Sequence, residues 1–248
     1  MRIAVCLKQV PRDNTVAITP TKAIDASGIE PILNLFDEYA LEAALQINDD
    51  VGGDVLAVSL GDGEVVDQLR RALAMGATEA LLVESADASD VYAAAQAMAE
   101  ALRSQGLPDV VVCGRNSTDH ESGAFAPMLA RILGWPQVTY VAKVVGKSAT
   151  HLELERHLED EVETVRVALP AVISISKGDV EPRYPSLLRV RKFAKADVPT
   201  LTAGGTASTT VLDRVPPPAR KGGEIIAGAD TAAKVAALVD RLIADQAL

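Results

Sequence analysis

Apolar positions between Arg2 and Leu133 alternate between two rhythms. Short aliphatic and β-branched runs read as strands at Arg2–Leu7, Val55–Leu60, Ala80–Val83 and Asp109–Cys113. Between them lie longer stretches with helical spacing. Asp37–Ile47 sets Leu41 and Ala44/Leu45 on the face that continues to Asn48, and Val65–Met75 stops at Gly76 in the C′ position. Ser89–Gln105 is Ala-rich and closed by Gly106, and Glu121–Leu133 is a further amphipathic stretch. Nearly continuous apolar strands suit a sheet covered on both faces. Strands separated by helices predict βαβ units, hence an α/β fold with a doubly wound, mostly parallel, Rossmann-like sheet.

Beyond Leu133 the rhythm changes. Thr139–Val145, His151–Arg156, Glu161–Val167 and Ala171–Ile175 are strands with hairpin-sized gaps, which predict an antiparallel extension at the edge of the sheet. From Glu181 to about Pro218 the chain is broken by Pro182, Pro185, Pro199, Gly204-Gly205 and Pro216-Pro217-Pro218, and reads as an extended arm. Ala232–Ala244 sets Val235, Leu238/Val239 and Leu242/Ile243 on one face, a short amphipathic helix on a tether. Docking on a partner would give such a helix its purpose. The expected organisation is an α/β nucleotide-binding domain over 1–182 and a docking arm with its helix over 183–248.

Composition narrows the partners. The 248 residues are under two domains' worth at about 150 residues each. A hydrophobic fraction of 48% excludes a mainly disordered chain. The net charge of −10 argues against a general affinity for nucleic acid or anionic lipid, both of which reward dense positive charge. No apolar run approaches the ~18–20 residues of a bilayer span, and the N-terminal run is too short for a signal peptide. A cytoplasmic protein with no direct membrane insertion is therefore expected. Cys6 and Cys113 lie in strand-like runs without a CxxC or a Cys/His cluster, so buried reduced thiols are expected, with no disulfide framework and no metal site. Aromatics make up only 3%, so the core must be largely Ala, Val, Leu and Ile.

Candidate chemistry gathers at strand ends: Cys6-Leu7-Lys8, Ser59-Leu60-Gly61 and Cys113-Gly114-Arg115. Open α/β sheets hold ligands beyond the carboxyl ends of their strands, where the strand order switches. The Leu60–Gly63 and Gly114–Gly123 loops could offer backbone N–H groups to a phosphate, although tight βα turns alone account for either one. Neither a GxGxxG nor a Walker lysine motif is present. The polar loop Gly114-Arg115-Asn116-Ser117-Thr118-Asp119-His120-Glu121-Ser122-Gly123-Ala124-Phe125 joins an apolar strand to an apolar helix, in the place where ribose and phosphate are usually held. Asp119 or Ser122 could equally be a helix N-cap. A hydrolase triad of Ser117, Asp119 and His120 is disfavoured, because neighbours in one loop rarely converge and no nucleophile elbow is present. The acidic hairpin with Glu159, Asp160 and Glu161 at its tip reads as a solvated turn. Arg183, Arg189, Arg191, Lys192 and Lys195 form a basic strip with no acid between Pro182 and Ala196, either a solvated arm or a contact strip for an acidic surface or cofactor phosphates.

In this order the motifs resemble the β subunit of the electron transfer flavoproteins. Ile3-Ala4-Val5-Cys6-Leu7-Lys8-Gln9-Val10-Pro11 is similar to the family's opening strand, and Asn34–Leu45 to its NPFDEYALEEAL helix start. Leu69–Ala77 resembles LRKALAMGAD, Arg156–Ser174 the family signature, and Glu181–Leu187 its EPRYPSL segment. The resemblance runs from residue 1 to about 195. It implies a heterodimer with an α subunit that holds the redox FAD, and AMP or, in electron-bifurcating members, a second FAD in the β subunit. By similarity the β-subunit pocket would involve Cys6, Asn34, Leu35, Phe36, Asp37, Leu60 and the whole Gly114–Phe125 loop. Arg156 would lie near the flavin and stabilise its reduced anionic form.

The resemblance further makes Tyr184, Pro185, Ser186, Leu187 and Leu188 a recognition loop with Leu187 as apolar anchor, flanked by Arg189, Arg191 and Lys192. It implies an electron carrier and not a catalyst, taking electrons from flavin dehydrogenases such as acyl-CoA dehydrogenases and passing them to a quinone reductase. A stand-alone AMP- or ATP-binding sensor of related fold is the alternative; it would explain the sheet and the loop but not the arm. Four features depart from the family pattern: Leu35 in place of Pro, Gly123-Ala124-Phe125 in place of polar residues, His157 in place of Glu, and an acidic hairpin tip without Gly.

Overall fold

The structure, a computed structural model, describes residues 1–248 apart from 14–15, 86–89, 179–180, 216–217, 219–221 and 248. Ser89, Pro216 and Pro217 of the expected elements lie outside the described residues. The elements in chain order are β1 (Arg2–Leu7), β2 (Gln9–Pro11), β3 (Ala17–Ile18), β4 (Ile24–Asp25), β5 (Pro31–Leu33), α1 (Leu35–Val51), β6 (Asp54–Leu60), α2 (Val66–Met75), β7 (Glu79–Glu84), α3 (Val91–Ser104), β8 (Val110–Gly114) and α4 (Phe125–Leu133). There follow β9 (Gln137–Lys147), β10 (His151–His157), β11 (Val162–Ala168), β12 (Ala171–Ile175), α5 (Leu187–Phe193), β13 (Thr200–Thr202) and α6 (Thr231–Ala244).

Nine strands form one sheet in the order β11-β10-β9-β12-β8-β1-β6-β7-β13. From β9 through β13 its neighbours run parallel, and β9, β10 and β11 form an antiparallel meander at one edge. Strand alternation divides the core into two layers. Ile3, Val5 and Leu7 of β1 pack with Leu41 and Ile47 of α1 and Leu69 of α2, whereas Ala4 and Cys6 pack with Met98 and Leu102 of α3 and Leu129 of α4. Tyr39 is the one aromatic among the buried hydrophobic side chains described. The expected Ala/Val/Leu/Ile core is what fills the molecule.

Two expectations change. Strand spacing puts Ala171–Ile175 in the antiparallel extension, but β12 returns to the centre and pairs in parallel with both β8 and β9. Burial explains this: all five of its residues are buried, as a central strand requires. The segment after Pro182 is also not simply an extended arm. Ser186 caps α5 by accepting the Arg189 N–H, β13 extends the sheet beside β7, and Asp90 accepts the N–H groups of Ser208 and Thr209. Gly204-Gly205 serves this packing, because a Cβ on Gly205 would lie 2.3 Å from the Ala93 carbonyl oxygen. The compact units are Met1–Leu212 and Asp213–Leu248, so the division falls thirty residues beyond the expected 182/183 boundary. In the second unit α6 is capped by Asp230, which accepts the Ala233 N–H, and Val235, Leu238, Val239 and Ile243 are exposed.

Candidate nucleotide site and docking loop

The chain builds outward from β1 to β6 and β7, then crosses to the other side of β1 with β8. The order therefore switches between β1 and β8, and the crevice for a ligand lies beyond their carboxyl ends. The loop after β8 crosses this point and is stapled there from two other elements. Asn34, almost fully buried at the start of α1, makes no side-chain cap hydrogen bond. Its Nδ2 donates to the Asn116 carbonyl at 2.9 Å and its Oδ1 accepts the Thr118 N–H at 3.2 Å. Lys8, the first polar residue after β1, donates from Nζ to both Asp119 oxygens at 2.7 and 2.8 Å and to Ser117 Oγ at 3.3 Å. Burial pushes the Asp119 carboxyl up, but hydrogen bonds from Lys8 and Ser117 and the Lys8 charge outweigh it and hold it at about 2.

This use of Asp119 excludes it as a helix cap: α4 begins at Phe125 behind Ala124, with no side-chain cap. Ser122 does not cap α4 either; its Oγ lies 3.5 Å from the Ala124 N–H. His120 Nδ1 sits 2.9 Å from Asp119, yet Ser117 faces the Lys8 ammonium and not a base, so the three residues do not form a hydrolase triad. Glu121 (φ 51°) and Gly123 (φ 61°) turn its backbone through the left-handed region. Leu60 ends β6, and no hydrogen bond among the described residues ties it to the loop.

Beneath the loop, Asp37 reaches from the first turn of α1 and is 5% exposed. Its Oδ2 accepts the Lys8 N–H at 2.7 Å, and the Gly114 N–H also points to it. Burial raises the Asp37 carboxyl to about 7, against the lowering pull of Asn34, Lys8 and Gly114. Gly114 is required by this close approach: a Cβ there would fall 2.2 Å from Asp37 Oδ1 and 2.9 Å from the backbone of Phe36. Cys6 and Cys113 are in register on β1 and β8, and both are buried free thiols. The Cys113 thiol is pushed up by its hydrogen bond with Cys6 and by burial.

The outer wall contains Tyr140, a residue that sequence patterns do not single out. The Arg115 guanidinium lies over the Phe36 ring at 5.0 Å and the Tyr140 ring at 5.5 Å. Tyr140 adopts φ 60° in an irregular stretch of β9, a conformation costly for a bulky residue and invisible in composition. Arg115, Tyr140, His157 and the acidic tip Glu159–Glu161 line an open pocket of about 700 Å³. The tip expected to be only a solvated turn thus forms a wall. Arg156 lies opposite Val141, beside Tyr140; its Nε is buried without a hydrogen-bond partner and its Nη1 is 3.6 Å from Glu163. Leu35 is exposed at the surface of α1.

At the other candidate surface, Tyr184, Leu187 and Leu188 are 89%, 78% and 79% exposed, a contiguous apolar patch on and before α5. Pro185 and Ser186 lie within it. The basic strip divides. Arg183 and Arg189 turn inward to carboxylates and carbonyls, whereas Arg191 and Lys192 remain exposed, Lys192 over the Phe193 ring. Arg189, expected to meet a partner, is committed to its own chain.

These features make the chain an α/β protein with a mostly parallel sheet, a switch-point crevice roofed by a stapled polar loop, and an exposed apolar loop elsewhere. The family model of the electron transfer flavoprotein domain matches residues 21–206. The chain is 38% identical to the electron transfer flavoprotein subunit beta of Thermoanaerobacterium thermosaccharolyticum, with 98% of each chain covered. It is 31% identical to the subunit of the same name from Bacillus subtilis over 92% of each, and 32% identical to the caffeyl-CoA reductase-Etf complex subunit CarD of Acetobacterium woodii over 98% of each. The chain belongs to the electron transfer flavoprotein family. Within it the chain is an electron-transfer β subunit, and the alternative of a stand-alone nucleotide sensor falls away. No helix among the described residues is long and apolar enough to cross a membrane.

Proposed function

We propose that this chain is one half of an α/β heterodimer, seats an adenine nucleotide beneath its Gly114–Phe125 loop, and relays electrons from a flavin dehydrogenase to a quinone reductase. The carrying observation is the double staple of that loop, by Asn34 and by Lys8 through Asp119, at the switch point. Gly114 makes the first staple possible: without a Cβ it lets the start of α1 approach the strand end, so that Asn34 reaches the loop. Asn116, Ser117, Thr118 and the backbone from Asp119 to Phe125 would hold the ribose and phosphates. Gly123, Ala124 and Phe125 bring no side-chain donor to a phosphate, so backbone N–H groups would make that contact, whether the occupant is AMP or the AMP half of a second FAD. A bound flavin supplies one- and two-electron transfer. Arg156, its Nε without a partner, would place positive charge beside the partner subunit's flavin.

Acid extraction of the purified heterodimer tests the nucleotide site. One FAD together with either one AMP or a second FAD per heterodimer is expected, and which of the two is found identifies the occupant. One FAD and no other adenine nucleotide would refute the site. The Tyr184–Leu188 patch is the proposed docking loop for acyl-CoA dehydrogenases and related donors, with Leu187 as its anchor. Leu187→Ala should raise the KM of such a donor's reaction with the heterodimer by about tenfold, as truncation of an interface hot spot does, and leave the flavin absorbance spectrum unchanged. An unchanged KM would remove the patch from docking.

A further inference from the structure

The exposed Tyr184–Leu188 loop is gripped at both flanks by arginines that anchor it to two different helices. On one side, the Arg183 backbone N–H and Nε donate to Glu42 Oε2 at 3.0 and 2.8 Å. Its Nη2 donates to Glu42 Oε1 at 3.0 Å and to Asp49 Oδ2 at 2.8 Å. Glu42 is a side chain of α1 only 6% exposed, and Gln46 Nε2 donates to it from the next turn at 3.1 Å. Burial pushes the Glu42 carboxyl up, yet the hydrogen bonds from Arg183 prevail and leave it below its ordinary value. On the other side, Arg189 Nε and Nη2 donate to the Ala74 and Leu73 carbonyls at 2.7 and 2.8 Å, the end of α2 where carbonyls lack helical partners and the dipole is negative. The Phe193 ring backs Arg189 at 5.4 Å.

Between these grips three apolar side chains stay in water. A free loop would fold them onto the nearest apolar surface, and a partner would then have to pull them out and order the backbone. Bidentate, charge-assisted bonds to a buried carboxylate and to helix-end carbonyls prevent that collapse. We infer that Arg183, Glu42 and Arg189 are positioning residues that pre-form the docking loop, so that a donor flavoprotein captures Leu187 with little ordering cost. This rests on the reading of Tyr184–Leu188 as the docking loop. It also explains why a strip of five cations in an acidic protein is not simply a partner-facing charge patch. Two of the five hold the loop in shape.

The test uses the intact heterodimer carrying Arg183→Lys, which keeps the charge but loses the fork, or Glu42→Gln, which keeps the shape but loses the carboxylate. Two quantities are read: amide hydrogen exchange over residues 186–193, and steady-state reduction by an acyl-CoA dehydrogenase that reduces the wild-type heterodimer. Both variants should exchange at least about tenfold faster over 186–193, with β1 and β8 amides unchanged. The KM for the heterodimer as acceptor should rise about fivefold or more while kcat at saturation stays at the wild-type value. Unchanged exchange would overturn the clamp, and so would faster exchange with an unchanged KM. Leu187→Ala separates the two readings. If it raises KM and Arg183→Lys does not, the clamp alone fails; if it leaves KM unchanged, the docking loop itself fails. Should Arg183→Lys not assemble, Glu42→Gln decides.

Discussion

Gly114→Ala should empty the proposed nucleotide site and lower the stability of the fold by about 1–3 kcal/mol, the usual cost of forcing extra volume into a packed region. The new methyl would fall 2.2 Å from Asp37 Oδ1 and 2.9 Å from the carbonyl carbon and Cβ of Phe36. A flexible side-chain tip could move aside, but Asp37 is fixed by the Lys8 N–H, and Phe36 is backbone in the first turn of α1. Displacing that turn displaces Asn34, and with it the hydrogen bonds to Asn116 and Thr118 that hold the loop. Phe36 also carries one of the two rings over Arg115, so the outer wall moves with it. Gly123→Ala is the contrast. Its Cβ would meet only the Arg115 carbonyl oxygen at 3.8 Å, leaving the left-handed backbone as the sole penalty, about 1 kcal/mol. Thermal unfolding and nucleotide content, measured side by side on the two variants, check the difference. Full nucleotide content in Gly114→Ala with an unchanged Tm would show that α1 yields to the methyl.

Much of this geometry can be traced to local sequence, and the part that cannot shares one cause. β1, β6, β7 and β8 are legible because uninterrupted apolar runs have little choice but a covered sheet. The Gly114–Phe125 loop stands out because a polar stretch between an apolar strand and an apolar helix must lie at a strand end. Periodicity says nothing of which strands become neighbours, which is why it groups β12 with the antiparallel strands it follows. The staples are equally non-local: Lys8 meets Asp119 across 111 positions and Asn34 meets Asn116 across 82. A capping residue reads as a cap until a nearby ammonium competes for it, and an ion pair is stronger than a bond to the neutral N–H of a helix end. In the arm, Pro182 and Pro185 correctly mark a break in regular structure. They conceal that Arg183 between them is bound to Glu42, 141 positions away. The resemblance names candidate pocket residues but not the contacts among them, and the strained Tyr140 leaves no trace in it or in the sequence pattern.

Asp37 predicts a pH dependence that runs opposite to that of most carboxylates. Its value in the folded protein is raised from 3.8 to about 7, chiefly by burial. Between those limits the folded state holds a proton that the unfolded chain releases. The stability it contributes is therefore complete below about pH 4, declines as pH rises, and is lost once pH passes about 7. A rise of that size corresponds to about 4 kcal/mol at most, enough to register in any unfolding measurement. Asp119 and Glu42, both held low, titrate the other way and lose their contribution only in acid, so the total curve mixes the two signs. Subtracting the curve of Asp37→Asn isolates the one group. The amide still offers a carbonyl oxygen to the Lys8 N–H, and whatever it loses toward Gly114 is the same at every pH. Denaturant unfolding from about pH 4.5 to 8 should thus show the wild type losing ground to Asp37→Asn steadily until about pH 7, then running parallel to it. The same charge lies directly under the Gly114–Phe125 loop, the proposed nucleotide seat, where an ionised carboxylate would oppose an anionic ligand. Nucleotide retention should accordingly weaken across neutrality in the wild type and stay level in Asp37→Asn. A difference curve without slope would mean that the Lys8 and Gly114 N–H groups and the nearby Lys8 ammonium stabilise the carboxylate enough to offset its burial.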